Sequence, residues 1–244
     1  MNIRGKSYTA LVDWGDFAPI QLSSALIEEL QLETQDSDIQ MTDANGQVYV
    51  LQQGILDTLR VGGQPRTDLT FYSANGEIAA VGQQVGTEFH VVLGWGFFAG
   101  LPVTLDLPND QLVIGKAEGP ANGGASFRVP IQTDYGYLIG QFDLDNGEQL
   151  PMLIDTGSPL SQLHNRHEAL PAGEGAVNWQ GTDFPVRIIT AQSDEQTMPI
   201  QAEVMDLTAL EPLGVKGILG LHDLKDRVLV IQPEQAELHL WKAP

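Results

Sequence analysis

The sequence has no cysteine, few basic residues and no long apolar run. Without cysteine the chain has no disulfide, thiolate metal site or thiol nucleophile. Its 12 Lys and Arg residues stand against 32 Asp and Glu residues, giving a formal net charge of −20 at pH 7. Nucleic acids and anionic membranes bind basic surfaces, so we expect neither as a partner. The N-terminal residues do not resemble a signal peptide, and the compartment stays unknown.

Helical periodicity is also scarce. Apolar side chains recur with helical spacing in residues 22–32, where serines are available as N-cap. A second, shorter helix is predicted for residues 165–170. Most other apolar segments are short and lie between Gly, Pro, Asn and Asp residues, which is typical of strands and turns. The clearest of these segments are QVYVLQQG, LTFYS, FHVVLG, FPVRIIT and RVLVIQ. The sequence therefore predicts a mainly β fold.

A repeat becomes visible when the chain is divided at residues 115–126. This stretch is rich in Gly and Ala and poor in large apolar side chains, which is typical of a linker. On either side of it, Leu93-Gly94 aligns with Leu219-Gly220, 126 residues later. In both copies, apolar residues precede a Leu-Gly turn. A strand, a polar turn and a final strand follow that turn.

A second alignment lies near the start of each half. ALVDWG matches MLIDTG, which relates Asp13 to Asp155, 142 residues later. Because the two blocks occur in the same order in both halves, we predict two homologous lobes. The predicted boundaries are residues 1–116 for the first lobe, 117–125 for the linker and 126–244 for the second lobe.

An apolar strand that ends in Asp-Thr-Gly-Ser, with a later apolar-apolar-Gly turn, resembles the aspartic peptidases. The duplication resembles the pepsin-like members, and the size of each half resembles a retropepsin subunit. The resemblance implies a bilobal acid-protease fold of two retropepsin-like lobes with a cleft between them. It implies that Asp13 and Asp155 are catalytic, share one proton and activate water to hydrolyse peptide bonds. It implies a peptide or unfolded protein as substrate, and no cofactor or metal.

The resemblance also assigns supporting roles in the second half. Thr156 would hydrogen-bond across to the other lobe, and Ser158 would brace Asp155 from outside. Gly157 would let the backbone turn tightly enough for N–H groups to reach the carboxylate. This half has the complete motif.

The first half departs from the motif at two positions. Gly15 keeps the tight turn, but Trp14 replaces threonine, and its indole N–H is a donor only, on a far larger side chain. Asp16 replaces serine with a third carboxylate, which would disfavour ionisation of its neighbours. Both changes favour an alternative, in which the chain is a non-catalytic relative that binds peptides or a protein partner.

A flap that closes over the cleft is a further implication of the resemblance. Asn45-Gly46 is a strong hairpin turn, and Gly46 stands 33 residues after Asp13. Tyr49 would then lie over the cleft. An ordinary surface hairpin is the alternative interpretation of the same residues.

Two further predictions concern partners and metals. Because the duplication supplies an internal partner, we expect a monomer. The alternative is a homodimer that pairs two Asp155 carboxylates. His164 and His167 are three residues apart without a third ligand, so we predict a surface pair and no metal site.

Overall fold

The computed structural model describes residues 1–42, 48–74, 77–121, 123–134, 136–167, 170 and 172–242. It is 54% strand and 16% helix, which confirms the prediction of a mainly β fold. The helices among the described residues are all too short or too polar to cross a membrane. Two compact units, Met1–Phe97 and Phe98–Pro244, divide the chain.

The first unit is built on one sheet with strand order β2-β1-β6-β7-β4-β8-β3, and β5 pairs with β6. Its strands are β1 (Asn2–Ile3), β2 (Lys6–Ser7), β3 (Ala10–Val12), β4 (Ile20–Leu22), β5 (Gln35–Thr42), β6 (Val48–Val61), β7 (Gln64–Ser73) and β8 (Val91–Leu93). Its helices are α1 (Ser24–Leu30) and α2 (Glu77–Val85), and α3 (Trp95–Phe98) follows β8.

The second unit is built on a 12-stranded sheet with order β10-β9-β19-β20-β11-β12-β13-β18-β14-β17-β16-β15. Its strands are β9 (Val103–Asp106), β10 (Gln111–Ile114), β11 (Phe127–Asp134), β12 (Tyr137–Leu144), β13 (Gln149–Ile154), β14 (Ser161–His164), β15 (Gly173–Trp179), β16 (Thr182–Ser193), β17 (Gln196–Met205), β18 (Gly217–Leu219), β19 (Arg227–Gln232) and β20 (Glu237–Lys242). Helix α4 (Leu221–Leu224) follows β18, and 3-10 turns occur at Leu107–Asn109, Asn165–His167, Thr208–Leu213 and Pro233–Gln235.

Strands β9 and β10 belong to the sheet of the second unit. Leu105 of β9 pairs with Leu229 of β19, near one edge of that sheet. Residues 98–116, which the sequence analysis placed in the first lobe, therefore contribute to the second unit. The lobe boundaries given above stay a prediction.

The predicted helices are shorter in the structure than in the sequence pattern. Helix α1 begins after Ser23, whose Oγ accepts the N–H of Leu26 at 3.3 Å. It ends at Gln31, which takes a left-handed conformation with φ of 52°. Of the predicted helix at residues 165–170, the structure describes residues 165–167 and 170, and Asn165–His167 form a 3-10 turn. Helix α2 was not predicted from the sequence.

Apolar packing anchors the two strands that lead to the candidate aspartates. In the first unit, Leu11 of β3 packs against a buried cluster that includes Val92. In the second unit, Leu153 of β13 belongs to a cluster that includes Ile218. The end of each strand is thus fixed by side chains buried from water.

Candidate active site

Asp155 follows a central strand of the second sheet. The preceding residue, Ile154 of β13, pairs in parallel with Leu219 of β18. The N–H of Asp155 continues this ladder and donates to the carbonyl of Leu219 at 3.0 Å. Strand β14 covers the other side of β18 in the antiparallel direction. The backbone of Asp155 is therefore held by the strand that leads into the second Leu-Gly turn.

The Asp155 carboxylate is oriented by the loop that follows it. Its Oδ1 accepts the N–H groups of Gly157 and Ser158, each at 2.8 Å. Such donors stabilise a negative carboxylate and limit its rotation. The Ser158 hydroxyl donates to the carbonyl of Leu160 at 2.8 Å, so it stabilises the loop backbone. Thr156 is buried, and its predicted role stays a prediction.

The second Leu-Gly turn packs directly against this loop. The N–H of Leu221 donates to the carbonyl of Ser158 at 2.8 Å. A Cβ added to Gly220 would lie 2.3 Å from the carbonyl oxygen of Leu160. Glycine is required there because the approaching atoms are backbone atoms with little freedom to move.

Asp13 occupies the same local position in the first unit. Val12 of β3 pairs in parallel with Leu93 of β8, and the N–H of Asp13 donates to the carbonyl of Leu93 at 3.0 Å. The Asp13 Oδ1 accepts the N–H of Gly15 at 2.9 Å. Strand β4 again lies antiparallel on the other side of β8. Both candidate aspartates are thus presented by the same strand arrangement, each in its own unit.

The first Leu-Gly turn also approaches its aspartate loop closely. A Cβ at Gly94 would lie 2.1 Å from the carbonyl oxygen of Ala18. The N–H of Gly94 donates to the backbone carbonyl of Pro19 at 3.2 Å. This is the counterpart of the contact between Gly220 and Leu160.

Trp14 is a core residue of the first unit. Its side chain is fully buried, and its ring makes an edge contact with Trp95 at 5.5 Å between centroids and 73° between planes. Such aromatic pairs stabilise a core beyond the area they bury. The large side chain at this position therefore contributes packing that threonine could not provide.

The Asp16 carboxylate accepts hydrogen bonds from its own loop and from strand β4. Its Oδ1 accepts the N–H of Ala18 at 2.8 Å, and its Oδ2 accepts Nε2 of Gln21 at 2.5 Å. Ser158, at the aligned position, donates to a carbonyl instead. Asp16 thus replaces a hydroxyl donor with a carboxylate acceptor, and Gln21 supplies the second donor. Gln21 was not predicted from the sequence.

We expect Asp16→Ala to lower the free energy of unfolding by about 1–2 kcal/mol, because it leaves the N–H of the buried residue Ala18 without its acceptor. Asp16→Asn is the matched control, since its amide oxygen can still accept that bond. Denaturant unfolding of both variants beside the wild type measures the difference. Equal stability of Asp16→Ala and the wild type would contradict a stabilising role.

A family model described as "Aspartyl protease" matches residues 1–97 of the chain. The match supports an aspartyl protease family. The matched residues include Asp13 and the Leu93-Gly94 turn, and they coincide with the first unit of the structure. The match also supports a general aspartic peptidase-like function. No curated protein matches the chain.

The predicted flap falls partly outside the described residues. Strands β5 and β6 are antiparallel, with Met41 opposite Tyr49. Gly46 lies in the connecting residues 43–47, which the structure does not describe. Tyr49 is half-buried on β6, and its place over a substrate stays a prediction.

A second hairpin, which the sequence analysis did not single out, packs beside the Asp155 loop. Strands β15 and β16 are joined by a turn in which Gln180 and Gly181 have positive φ. Val177 of this hairpin belongs to the same buried cluster as Leu160. Gly181, between two segments of apolar and aromatic residues, is the sequence signal that could have indicated this hairpin.

The prediction that His164 and His167 form a surface pair is wrong for His164, whose side chain is buried. The His164 and His167 rings are 6.2 Å apart, in edge contact. His164 Nε2 lies 3.2 Å from Oε1 of Glu211, which also pairs with Arg166. Within the described ranges, no cluster of three or more His, Asp or Glu side chains is arranged to hold a metal ion.

A half-buried carboxylate on α4, Asp223, was not predicted from the sequence. Its Oδ2 accepts the Ser161 hydroxyl at 2.6 Å and the Gln201 N–H at 3.2 Å. Burial raises the pKa of Asp223, and the bonds from Ser161 and Gln201 and the charges of His222 and Arg227 oppose this rise. Ser161 and Asp223 are 62 positions apart, so no local sequence pattern relates them.

The raised pKa of Asp223 predicts a pH dependence of stability. The folded state keeps this proton to a higher pH than the unfolded state, where the carboxyl has its ordinary pKa of 3.8. The stability of the wild type relative to Asp223→Asn should therefore fall as pH rises above that value. Denaturant unfolding at several pH values from 3 to 7 measures this difference. A difference that rises with pH would contradict the direction of the shift.

Proposed function

We propose that the chain is an aspartic-type endopeptidase, in which Asp13 and Asp155 form a carboxylate pair that activates water. The observation that carries this proposal is the shared local position of the two aspartates. Each follows a strand paired in parallel with the strand before a Leu-Gly turn, and each carboxylate accepts an N–H from the glycine two residues later. The family match over residues 1–97 supports the same chemistry.

The chemistry requires the pair to hold one proton. Two adjacent carboxylates cannot both ionise cheaply, so one stays protonated. The ionised member removes a proton from water, which attacks the scissile carbonyl carbon, and the protonated member donates to the carbonyl oxygen. The N–H donors of Gly15 and Gly157 contribute by fixing the orientation of each carboxylate.

A second candidate function is peptide or protein binding without cleavage. The observation that favours it is the altered first loop, where Trp14 is a core residue and Asp16 bonds to Ala18 and Gln21. Both residues contribute to the stability of the loop, so the loop could persist without catalysis.

The deciding experiment is cleavage of a denatured protein mixture at pH values from 3 to 7, with products identified by mass spectrometry. Wild type is compared with Asp155→Asn, which controls for contaminating proteases, and with Asp57→Asn, an exposed carboxylate. We expect cleavage by the wild type and Asp57→Asn, weakening towards pH 7 as the pair loses its shared proton. If folded wild type cleaves no protein at any of these pH values, the endopeptidase proposal is wrong and the binding function is favoured.

A further inference from the structure

A chain of hydrogen bonds behind the Asp155 loop is not used in the proposed mechanism. The Ser161 hydroxyl donates to Asp223, and its Oγ accepts the N–H of Gly220 at 2.9 Å. Ser161 is fully buried. The carboxylate of Asp223 also receives the N–H of Gln201 from β17. Strand β14, helix α4, strand β17 and the Leu-Gly turn are therefore joined at one point.

This network acts on the backbone that holds Asp155. Gly220 follows Leu219, whose carbonyl accepts the Asp155 N–H. One residue further on, the N–H of Leu221 holds the carbonyl of Ser158. A displacement of Gly220 would therefore move both hydrogen bonds that fix the ends of the Asp-Thr-Gly-Ser segment.

In the first unit, the corresponding turn at Gly94 is held by a backbone hydrogen bond. The N–H of Gly94 donates to the backbone carbonyl of Pro19, at the position aligned with Ser161. The position aligned with Asp223 is Phe97, which is buried. Neither side chain offers an oxygen acceptor, so the strand arrangement itself does not require a half-buried carboxylate at this position. Partial burial of a carboxylate has a desolvation cost. The same desolvation raises the pKa of Asp223.

We propose that Asp223, acting through Ser161 and Gly220, is a positioning residue that sets the orientation of the Asp155 carboxylate. This inference rests on the proposed peptidase function. Asp223 would act without contacting substrate. It keeps the Ser161 hydroxyl directed so that its oxygen remains available to the Gly220 N–H, and the turn then holds the aspartate loop.

The test compares three variants of the full chain with the wild type. Asp223→Ala removes the acceptor. Asp223→Asn keeps an oxygen that can accept from Ser161 and Gln201, and is therefore the conservative variant. Val230→Ala, at a fully buried position of β19, controls for a general loss of stability. The readouts are kcat and KM for a fluorogenic peptide, and amide hydrogen exchange of residues 155–161.

We expect Asp223→Ala to lower kcat by roughly 10- to 100-fold, because a small misplacement of a catalytic group is costly. KM should change by less than about twofold, since substrate contacts are unaltered. Exchange of residues 155–161 should accelerate in Asp223→Ala, while residues 13–19 in the same sample stay unchanged. Asp223→Asn should restore most of kcat and the slow exchange. Val230→Ala should alter neither readout.

Two results would overturn the inference. One is wild-type kcat in folded Asp223→Ala, and the other is unchanged exchange of residues 155–161 in that variant. A wild type that cleaves no peptide would instead refute the proposed function. The exchange comparison would still decide whether Asp223 holds the Asp155 loop, because it does not depend on activity.

Discussion

Asp13→Asn is expected to lower kcat/KM for peptide cleavage by roughly 10²- to 10⁴-fold, as much as Asp155→Asn does. An asparagine can neither accept the proton of the attacking water nor donate one to the scissile carbonyl. Because the two carboxylates act as one proton-sharing unit, loss of either member removes the same function. The measurement is kcat/KM for a fluorogenic peptide at acidic pH for both variants.

The comparison between the two variants also tests the altered first loop. Asp57→Asn, which removes an exposed carboxylate of the same unit, should retain wild-type kcat/KM. Loss of activity in Asp155→Asn alone would contradict a pair that includes Asp13. That result would favour a site made by Asp155 from two copies of the chain, and size-exclusion chromatography would then show a dimer.

Gly220→Ala is expected to lower the free energy of unfolding by about 3 kcal/mol, at the upper end of typical overpacking costs. The added Cβ would lie 2.3 Å and 2.4 Å from the carbonyl oxygen and carbon of Leu160. Backbone atoms cannot rotate away as a flexible side chain can, so the loop after Asp155 must move. Gly94→Ala should be comparable, because its Cβ would meet the carbonyl oxygen of Ala18.

Gly124→Ala is the matched control for these glycine substitutions, since its Cβ would meet no atom within 4 Å. Thermal unfolding should place Gly220→Ala roughly 6 to 12 °C below the wild type and Gly124→Ala close to it. A melting temperature of Gly220→Ala equal to that of Gly124→Ala would contradict a close approach of the turn to the loop.

The sequence predicted those features of the site that depend on short patterns. An apolar strand before Asp13 and Asp155, and apolar residues before Gly94 and Gly220, were visible as local strings. The structure places each of these strings in a strand or at its end, and pairs them in parallel within each unit. Strand β19 coincides with the predicted segment RVLVIQ.

Features that depend on sheet register could not be predicted in the same way. Ser161 meets Asp223 only because β14 and the turn before α4 lie side by side, and 62 residues separate them in the chain. Gln21 is close to Asp16 in sequence, but its bond depends on the path that the loop takes into β4. Helix α2 contains one charged residue and therefore no charged pair, and Gly82 interrupts its apolar pattern.

The hydrogen bonds that hold the two Leu-Gly turns differ in how many amino acids they tolerate at the acceptor position. In the first unit the acceptor for Gly94 is a main-chain carbonyl at position 19, which every amino acid supplies. In the second unit the acceptor for Gly220 is a side chain, so it exists only while position 161 carries a side-chain acceptor. A saturation library selected for folded protein should therefore accept many residues at position 19 and very few at position 161.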